Sequence, residues 1–342
     1  MPVRCWLLTG QCLAAGRASA ASGPLSSVPL TNPGLWLTGA ERGLMLAGLS
    51  IALGGLAGQG LARQFKGTGP APLPMPWALR GCLLGLAASV ALILTALADP
   101  GLAAALARPP VFGLQSRATV LIAGFEAACF AAGAVVLRLQ QPSRCVPLLI
   151  SVVVAESIRA HPEGIVPVAG ALLTICHLLP AVLWAGMLGY VLRAAIAWRA
   201  DPVAMRGLVR LYGNAAAWLV SVILVTGVIS AALLVPLGSL LTTTYGQLLI
   251  VKAALVVVVG GLAIVGRVWL RRRAEPGAGP ARATKLECAV LAAVLAVTGI
   301  LTVVTPPASP IGTAAGKAAA HDGAGHRLGE APGWPAPPSR AN

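Results

Sequence analysis

The sequence has few charged residues for its length. Only 10% of its 342 residues are Asp, Glu, Lys or Arg, whereas 57% are hydrophobic. A soluble domain carries about 25% charged residues, so this chain lacks the polar surface that would keep it in water. The shortage excludes a soluble enzyme and a disordered chain, and it predicts an all-α fold, a polytopic membrane helix bundle.

Acidic residues are especially scarce, since 10 Asp and Glu stand against 25 Lys and Arg and leave a net charge of +15. The basic residues fall in short loops between apolar runs, as in membrane proteins, and form no nucleic-acid-binding motif. The seven cysteines include no C-x-x-C pair, which argues against a disulfide framework or a zinc site. The chain also lacks a P-loop, a nucleotide fingerprint and a nucleophile–base constellation. We therefore expect no nucleic-acid partner, no ATP-driven pump and no enzyme.

Long apolar runs are present and mark the membrane helices, since a spanning helix needs about 20 mostly apolar residues. Eight segments reach or approach this length: 37–62, 77–98, 117–138, 145–158, 165–192, 208–235, 244–269 and 284–304. We predict about eight transmembrane helices over 37–304, with the lipid bilayer as partner. Residues 1–36 form an outward leader, with either a weak signal peptide or a disordered segment at 1–21. Residues 305–342 form a disordered outer tail.

The basic residues of the loops predict the orientation of the bundle. Fourteen Lys and Arg residues fall in one set of loops, whereas the other set holds only Arg108, Arg117 and Arg159. The side with more Lys and Arg faces the cytoplasm in membrane proteins. We therefore expect a multi-pass protein of the plasma (inner) membrane with both termini outside.

Four ionisable residues lie within the predicted helices: Arg42, Glu126, His177 and Lys252. Such residues are costly at membrane depth, so each is a functional hypothesis. All four lie on helices that enter from the outer face, about 10–18 Å below the outer ends at a rise of about 1.5 Å per residue. This predicts one polar layer in which Glu126 pairs with Lys252 or Arg42, although Lys252 could instead extend to the interface.

His177 is the strongest candidate metal ligand. Pro180 lacks an amide hydrogen, so the carbonyl of Cys176 loses its helical partner beside the imidazole. Trp184 lies seven residues after His177 and shares its helix face. A soft or borderline metal would accept imidazole and sulfur here, and weaker candidate ligands at similar depth are Cys176, Met45 and Cys129. The alternative is a histidine that bonds to another helix and serves packing.

His161 is the second candidate metal ligand. It lies in Glu-Ser-Ile-Arg-Ala-His-Pro-Glu, residues 156–163, at the outer end of the fourth helix. Acidic and imidazole groups at an outer mouth suit cation capture, although an ordinary solvated loop would contain the same residues. His321 and His326 of the tail form a weaker metal-binding hypothesis.

Three motifs resemble a known family when they are taken together. Residues 177–186 are similar to its His-Leu-Leu…Trp-x-Gly signature, and Thr226-Gly227 resembles part of its next helix. Residues 245–252 closely resemble its Tyr-Gly-x-Leu-Leu-x-x-Lys segment. The family is that of copper resistance protein D (CopD), and the likeness extends over roughly residues 145–305.

The resemblance implies an inner-membrane protein of copper homeostasis that moves copper inward with an outer, periplasmic copper-binding partner of the CopC type. Copper would be the metal, and the residues that the family nominates are His161, His177, Trp184, Tyr245 and Lys252.

Two other functions remain open from the sequence. One is a membrane electron carrier in which histidines ligate haem b. Only His161 and His177 are available for this, and their apparent depths differ, so we do not expect haem. The other is an assembly partner that delivers copper to a terminal oxidase.

Overall fold

The computed structural model describes residues 33–64, 73–98, 114–159, 167–198, 201–235, 238, 240–272 and 298. These residues are almost entirely helical, and no strand occurs among them. The helices are α1 (Pro33–Leu49), α2 (Gly55–Arg63), α3 (Ala78–Ala98), α4 (Leu114–Arg138), α5 (Pro142–Ile158), α6 (Pro167–Ala197), α7 (Pro202–Leu234) and α8 (Thr244–Arg272). The predicted all-α membrane bundle is confirmed in this part of the chain.

The first predicted span is one long helix with a widened turn near its middle. A π-helical turn, Ser50–Gly54, joins α1 to α2, and the backbone on both sides of it stays helical. Such turns occur where a helix must adapt to a close neighbour or to a functional site. Here the turn lies at a close contact with α6.

Proline marks the start of four helices: Pro33, Pro142, Pro167 and Pro202. Proline suits a first helical position because its fixed φ angle is helical and its missing amide hydrogen is not needed there. At α7 the Asp201 carboxylate also accepts a hydrogen bond from the Ala204 amide, at 3.0 Å. Because of these signals α7 begins at Pro202, six residues before the start predicted from the apolar run.

Two sets of helices share the apolar interior. One core cluster combines buried side chains of α1, α3, α4 and α5 with Val182 of α6. Two smaller clusters join α6 to α7, one around Trp184 and one that also includes Ala62 of α2. Helix α6 therefore takes part in all three clusters.

Glycines allow the π-helical turn and α6 to pack backbone against backbone. A Cβ atom on Gly54 would lie 2.5 Å from the Cα atom of Gly186, and one on Gly186 would overlap the carbonyl oxygen of Ser50. One turn further, Gly58 packs against the Tyr190 ring. At Gly189 of α6, by contrast, a Cβ atom would meet nothing within 4 Å.

The outer surface of the bundle is apolar, as lipid contact requires. Exposed side chains on α4 and α7 include Leu121, Trp218 and Val228. Within the described residues, five helices are long and apolar enough to span a membrane: Trp36–Arg63, Ala78–Ala98, Val120–Arg138, Val168–Ala197 and Val203–Leu234. Tyr245–Val258 is a shorter apolar helix. The chain is a multi-pass membrane protein.

Three parts of the sequence prediction lie outside the described residues. They are nearly all of the eighth predicted span at 284–304, the tail at 305–342 and nearly all of the leader at 1–36. The fourth predicted span, 145–158, corresponds to α5, which has 17 residues and falls short of the length of the five long helices.

We expect Gly186→Ala to destabilise the bundle, because the new methyl group would have to push two helix backbones apart. The expected loss in the free energy of unfolding is about 1–3 kcal/mol, the usual range for overpacking. Gly189→Ala is the matched control, since its methyl group enters open space on the same helix. Unfolding in a mild detergent, followed by circular dichroism, measures both; equal stability of the two variants would contradict the close contact.

Candidate functional site

His177 faces α7 and bonds to it. Its Nδ1 atom lies 3.0 Å from the Oγ1 atom of Thr226. The histidine is half-buried between the two helices. This hydrogen bond to α7 holds the imidazole in place.

The Thr226 hydroxyl determines which ring nitrogen carries the proton. That hydroxyl donates to the carbonyl oxygen of Val222 on its own helix, at 2.6 Å. Its single hydrogen is then engaged, so its oxygen accepts from the ring and Nδ1 must be the donor. The lone pair of the neutral imidazole therefore lies on Nε2, the usual arrangement of a metal-binding histidine whose other nitrogen is bonded to the protein.

The surroundings of the ring are small and apolar. A Cβ atom on Gly227 would lie 3.2 Å from the Cε1 atom of His177, so glycine is what lets α7 approach the imidazole. Trp184 is buried two turns along α6, where it packs with Ile223 of α7. His177 and Trp184 thus share the side of α6 that faces α7.

Lys252 of α8 is close enough to His177 for its charge to act on the imidazole. The lysine is half-buried, and Tyr245, two turns earlier on the same helix, is buried. The second and third motifs of the sequence therefore meet at His177: Thr226-Gly227 by direct contact and Lys252 through its charge.

Glu126 belongs to a different polar group. Its carboxylate is fully buried and accepts from the Nη2 atom of Arg159, with distances of 2.6 and 2.7 Å to its two oxygens. Arg159 also pairs with Glu156, one turn earlier at the end of α5. The charge of Arg42 on α1 interacts with all three of these residues.

The ionisable residues therefore form two groups, and the common depth of the predicted polar layer stays a prediction. Glu126 pairs with Arg159 rather than with Lys252, and Arg42 is its neighbour, as the sequence suggested in part. Lys252 instead belongs with His177. Arg159 was missed because loop-counting assigns it to an outer loop, whereas its side chain is only 7% exposed. The available signal was a basic residue directly after an apolar helix that has a glutamate, Glu156, in its last turn.

The weaker candidate ligands do not join His177. Met45 and Cys129 are buried in the core cluster of α1, α3, α4 and α5, and Cys176 is exposed. His161 and the tail histidines lie outside the described residues. Among the residues that are described, no group of three or more His, Cys, Asp and Glu could hold a metal ion. The site built at His177 offers one imidazole nitrogen, and it can hold a metal only together with ligands from elsewhere.

Comparison with known proteins gives one match. Residues 206–305 match the family described as copper resistance protein D. No curated protein matches the chain, and no solved structure does.

The matched region contains most of the site but begins after His177. It includes the turn of α7 that binds the imidazole, as well as Tyr245 and Lys252. The likeness expected from the sequence is confirmed over residues 206–305. This part of the multi-pass membrane protein is similar to the copper resistance protein D family.

Proposed function

We propose that the protein moves copper across the plasma membrane, and that His177 is a copper ligand on the path. The observation that carries this proposal is the fixed imidazole between α6 and α7. Thr226 holds Nδ1, and Nε2 keeps its lone pair at membrane depth. Copper in either common oxidation state accepts imidazole nitrogen.

A site with a single fixed imidazole suits transport better than storage. A translocation site must bind well enough for the ion to enter and weakly enough for it to leave. The charge of Lys252 acts on the same place and repels a bound cation. We propose that this repulsion shortens the time that a copper ion stays at His177. This role of Lys252 replaces the predicted pairing with Glu126.

The outer steps of the proposed path depend on residues beyond the described part and on a partner. His161 is proposed to receive copper at the outer mouth, and an outer copper-binding protein of the CopC type would deliver it. With both termini outside, as the basic loops predict, His161 precedes His177 on an inward path. Tyr245 and Trp184 are proposed to line this path rather than to bind the metal.

The buried charge group of Glu126, Arg159 and Glu156 is proposed to have a structural role. It ties α4 to the end of α5, close to Arg42 of α1. Burying charges is costly, and removing one partner leaves the others uncompensated. We therefore assign the group to the stability of the outer half of the bundle rather than to copper.

His177→Ala should lower the amount of copper that the detergent-purified protein binds during equilibrium dialysis against excess copper. The variant loses the imidazole nitrogen that we propose as the ligand. Because the ring is only half-buried, little packing between α6 and α7 is lost with it. Metal analysis and visible absorbance of wild type and variant measure the effect. We expect less copper in the variant and no haem band in either protein. Equal copper in both would reject His177 as a ligand, and a haem band would favour the electron-carrier function.

Thr226 allows a sharper test, because two substitutions separate its hydroxyl from its size. Thr226→Val keeps the shape but removes the acceptor for Nδ1, so we expect copper affinity to fall by about 10–100-fold, as for other partners of ligating histidines. Thr226→Ser keeps the hydroxyl and should bind copper like the wild type. Competition with a chromophoric chelator gives the affinities. Equal binding by the two variants would exclude the proposed orientation of the ring.

A further inference from the structure

Two buried thiols face each other in the core of the bundle. Cys82 on α3 and Cys145 on α5 are both 0% exposed, and their side chains are hydrogen-bonding partners. Neither is in a disulfide. The two cysteines are 63 positions apart in the sequence and form no motif, so only the fold reveals the pair.

Gly133 of α4 packs against both sulfur atoms. A Cβ atom at Gly133 would lie 3.3 Å from the Sγ atom of Cys82 and 3.3 Å from that of Cys145. These distances are tighter than ordinary contacts, so glycine is what lets α4 approach the thiol pair. The two sulfur atoms thus lie side by side against the backbone of α4.

A cavity lies about one helical turn from the two thiols. Its volume is about 350 Å³, and its lining includes residues of the three helices that carry Cys82, Gly133 and Cys145: Ala78, Leu137 and Pro142. Cys82, Cys145 and Gly133 each lie three or four residues, or about one turn, further into the same helices. An ion that reached the cavity would have to cross only one helical turn.

Positive charge lies at this end of the bundle. Arg63 and Arg138 line the cavity. Both cysteines also lie within the first two turns of their helices, where the helix dipole favours negative charge. A metal ion that bonds to both buried sulfur atoms would itself stabilise them as thiolates.

We propose that Cys82 and Cys145 bind one Cu(I) ion as a two-coordinate bis-thiolate site. Thiolate sulfur selects soft metals, above all Cu(I), Zn²⁺ and iron–sulfur clusters. Zinc and iron–sulfur clusters require about four ligands, and in the described part of the chain no third His, Cys, Asp or Glu joins the pair. Two sulfur atoms on opposite helices suffice for Cu(I).

Binding would release protons and leave one negative charge. Each thiol loses its proton as its sulfur bonds to copper, and metal binding by thiols is pH-dependent for this reason. The resulting complex of Cu⁺ with two thiolates carries a net charge of −1. Arg63 and Arg138 at the cavity would compensate this charge.

This site is separate from the copper site proposed at His177. It uses α3, α4 and α5, whereas His177 bonds to α7. If the basic loops face the cytoplasm, the thiol pair lies near the inner end of the bundle, where a copper ion would leave. Its test does not require His177 to be a ligand.

The experiment is an anaerobic titration of the full-length, reduced protein in lipid nanodiscs with Cu(I) against a chromophoric Cu(I) chelator. We expect one tight site that weakens by at least about 100-fold in Cys82→Ser and in Cys145→Ser. Cys129→Ser is the matched control, because Cys129 is buried in the same core, and it should keep the tight site. His177→Ala should keep it as well, even if it fails to transport copper.

X-ray absorption of the wild-type protein loaded with one Cu(I) keeps the proposal testable if a serine variant does not fold. We expect a two-coordinate shell of sulfur alone. Nitrogen in that shell, no tight binding by the reduced wild type, or unchanged binding in both serine variants would overturn the proposal. Loss of binding in Cys129→Ser alone would also overturn it, because the ligands would then be elsewhere.

Discussion

The close approach of the π-helical turn to α6 is the constraint on which the rest of the structure depends. Gly54 and Gly186 meet backbone to backbone, with the carbonyl of Ser50 over Gly186. Lipid provides no hydrophobic force between helices, so such close van der Waals packing is what holds a bundle together. With α6 fixed at this point, Val182 faces the core of α1 and α3–α5, while His177 and Trp184 face α7.

This arrangement separates the polar groups of the bundle by task. One group consists of Glu126, Arg159 and Glu156, whose opposite charges pair with one another and link α4 to the end of α5. His177 has a neutral partner, Thr226, which orients the ring without using both of its nitrogen atoms. The thiols of Cys82 and Cys145 lie apart from both groups. We therefore expect the buried charge pairs to serve the stability of the bundle. We expect His177, which the Thr226 hydroxyl orients beside Gly227, to serve its function.

Much of the fold could be predicted from the sequence, because apolar length alone identifies membrane helices. The boundaries were less accurate where prolines start helices before the apolar run, as at Pro202. Contacts between helices were harder to predict, because the sequence does not show which residue a buried charge pairs with. Glu126 pairs with Arg159, which follows α5, and not with Lys252. His177, Thr226 and Lys252 were found as motifs, but their meeting depends on how α6 and α7 pack. The Cys82–Cys145 pair left no sequence signal at all.

The proposed function is that this chain carries copper across a bilayer through a site at His177. The most direct test is uptake of radioactive copper by proteoliposomes that contain only the purified protein, with wild type and His177→Ala inserted in equal amount. We expect copper to accumulate inside wild-type vesicles above the level of protein-free vesicles, and this accumulation to be lost in the variant. Equal accumulation in the two, or none above protein-free vesicles with the wild type, would contradict transport through His177.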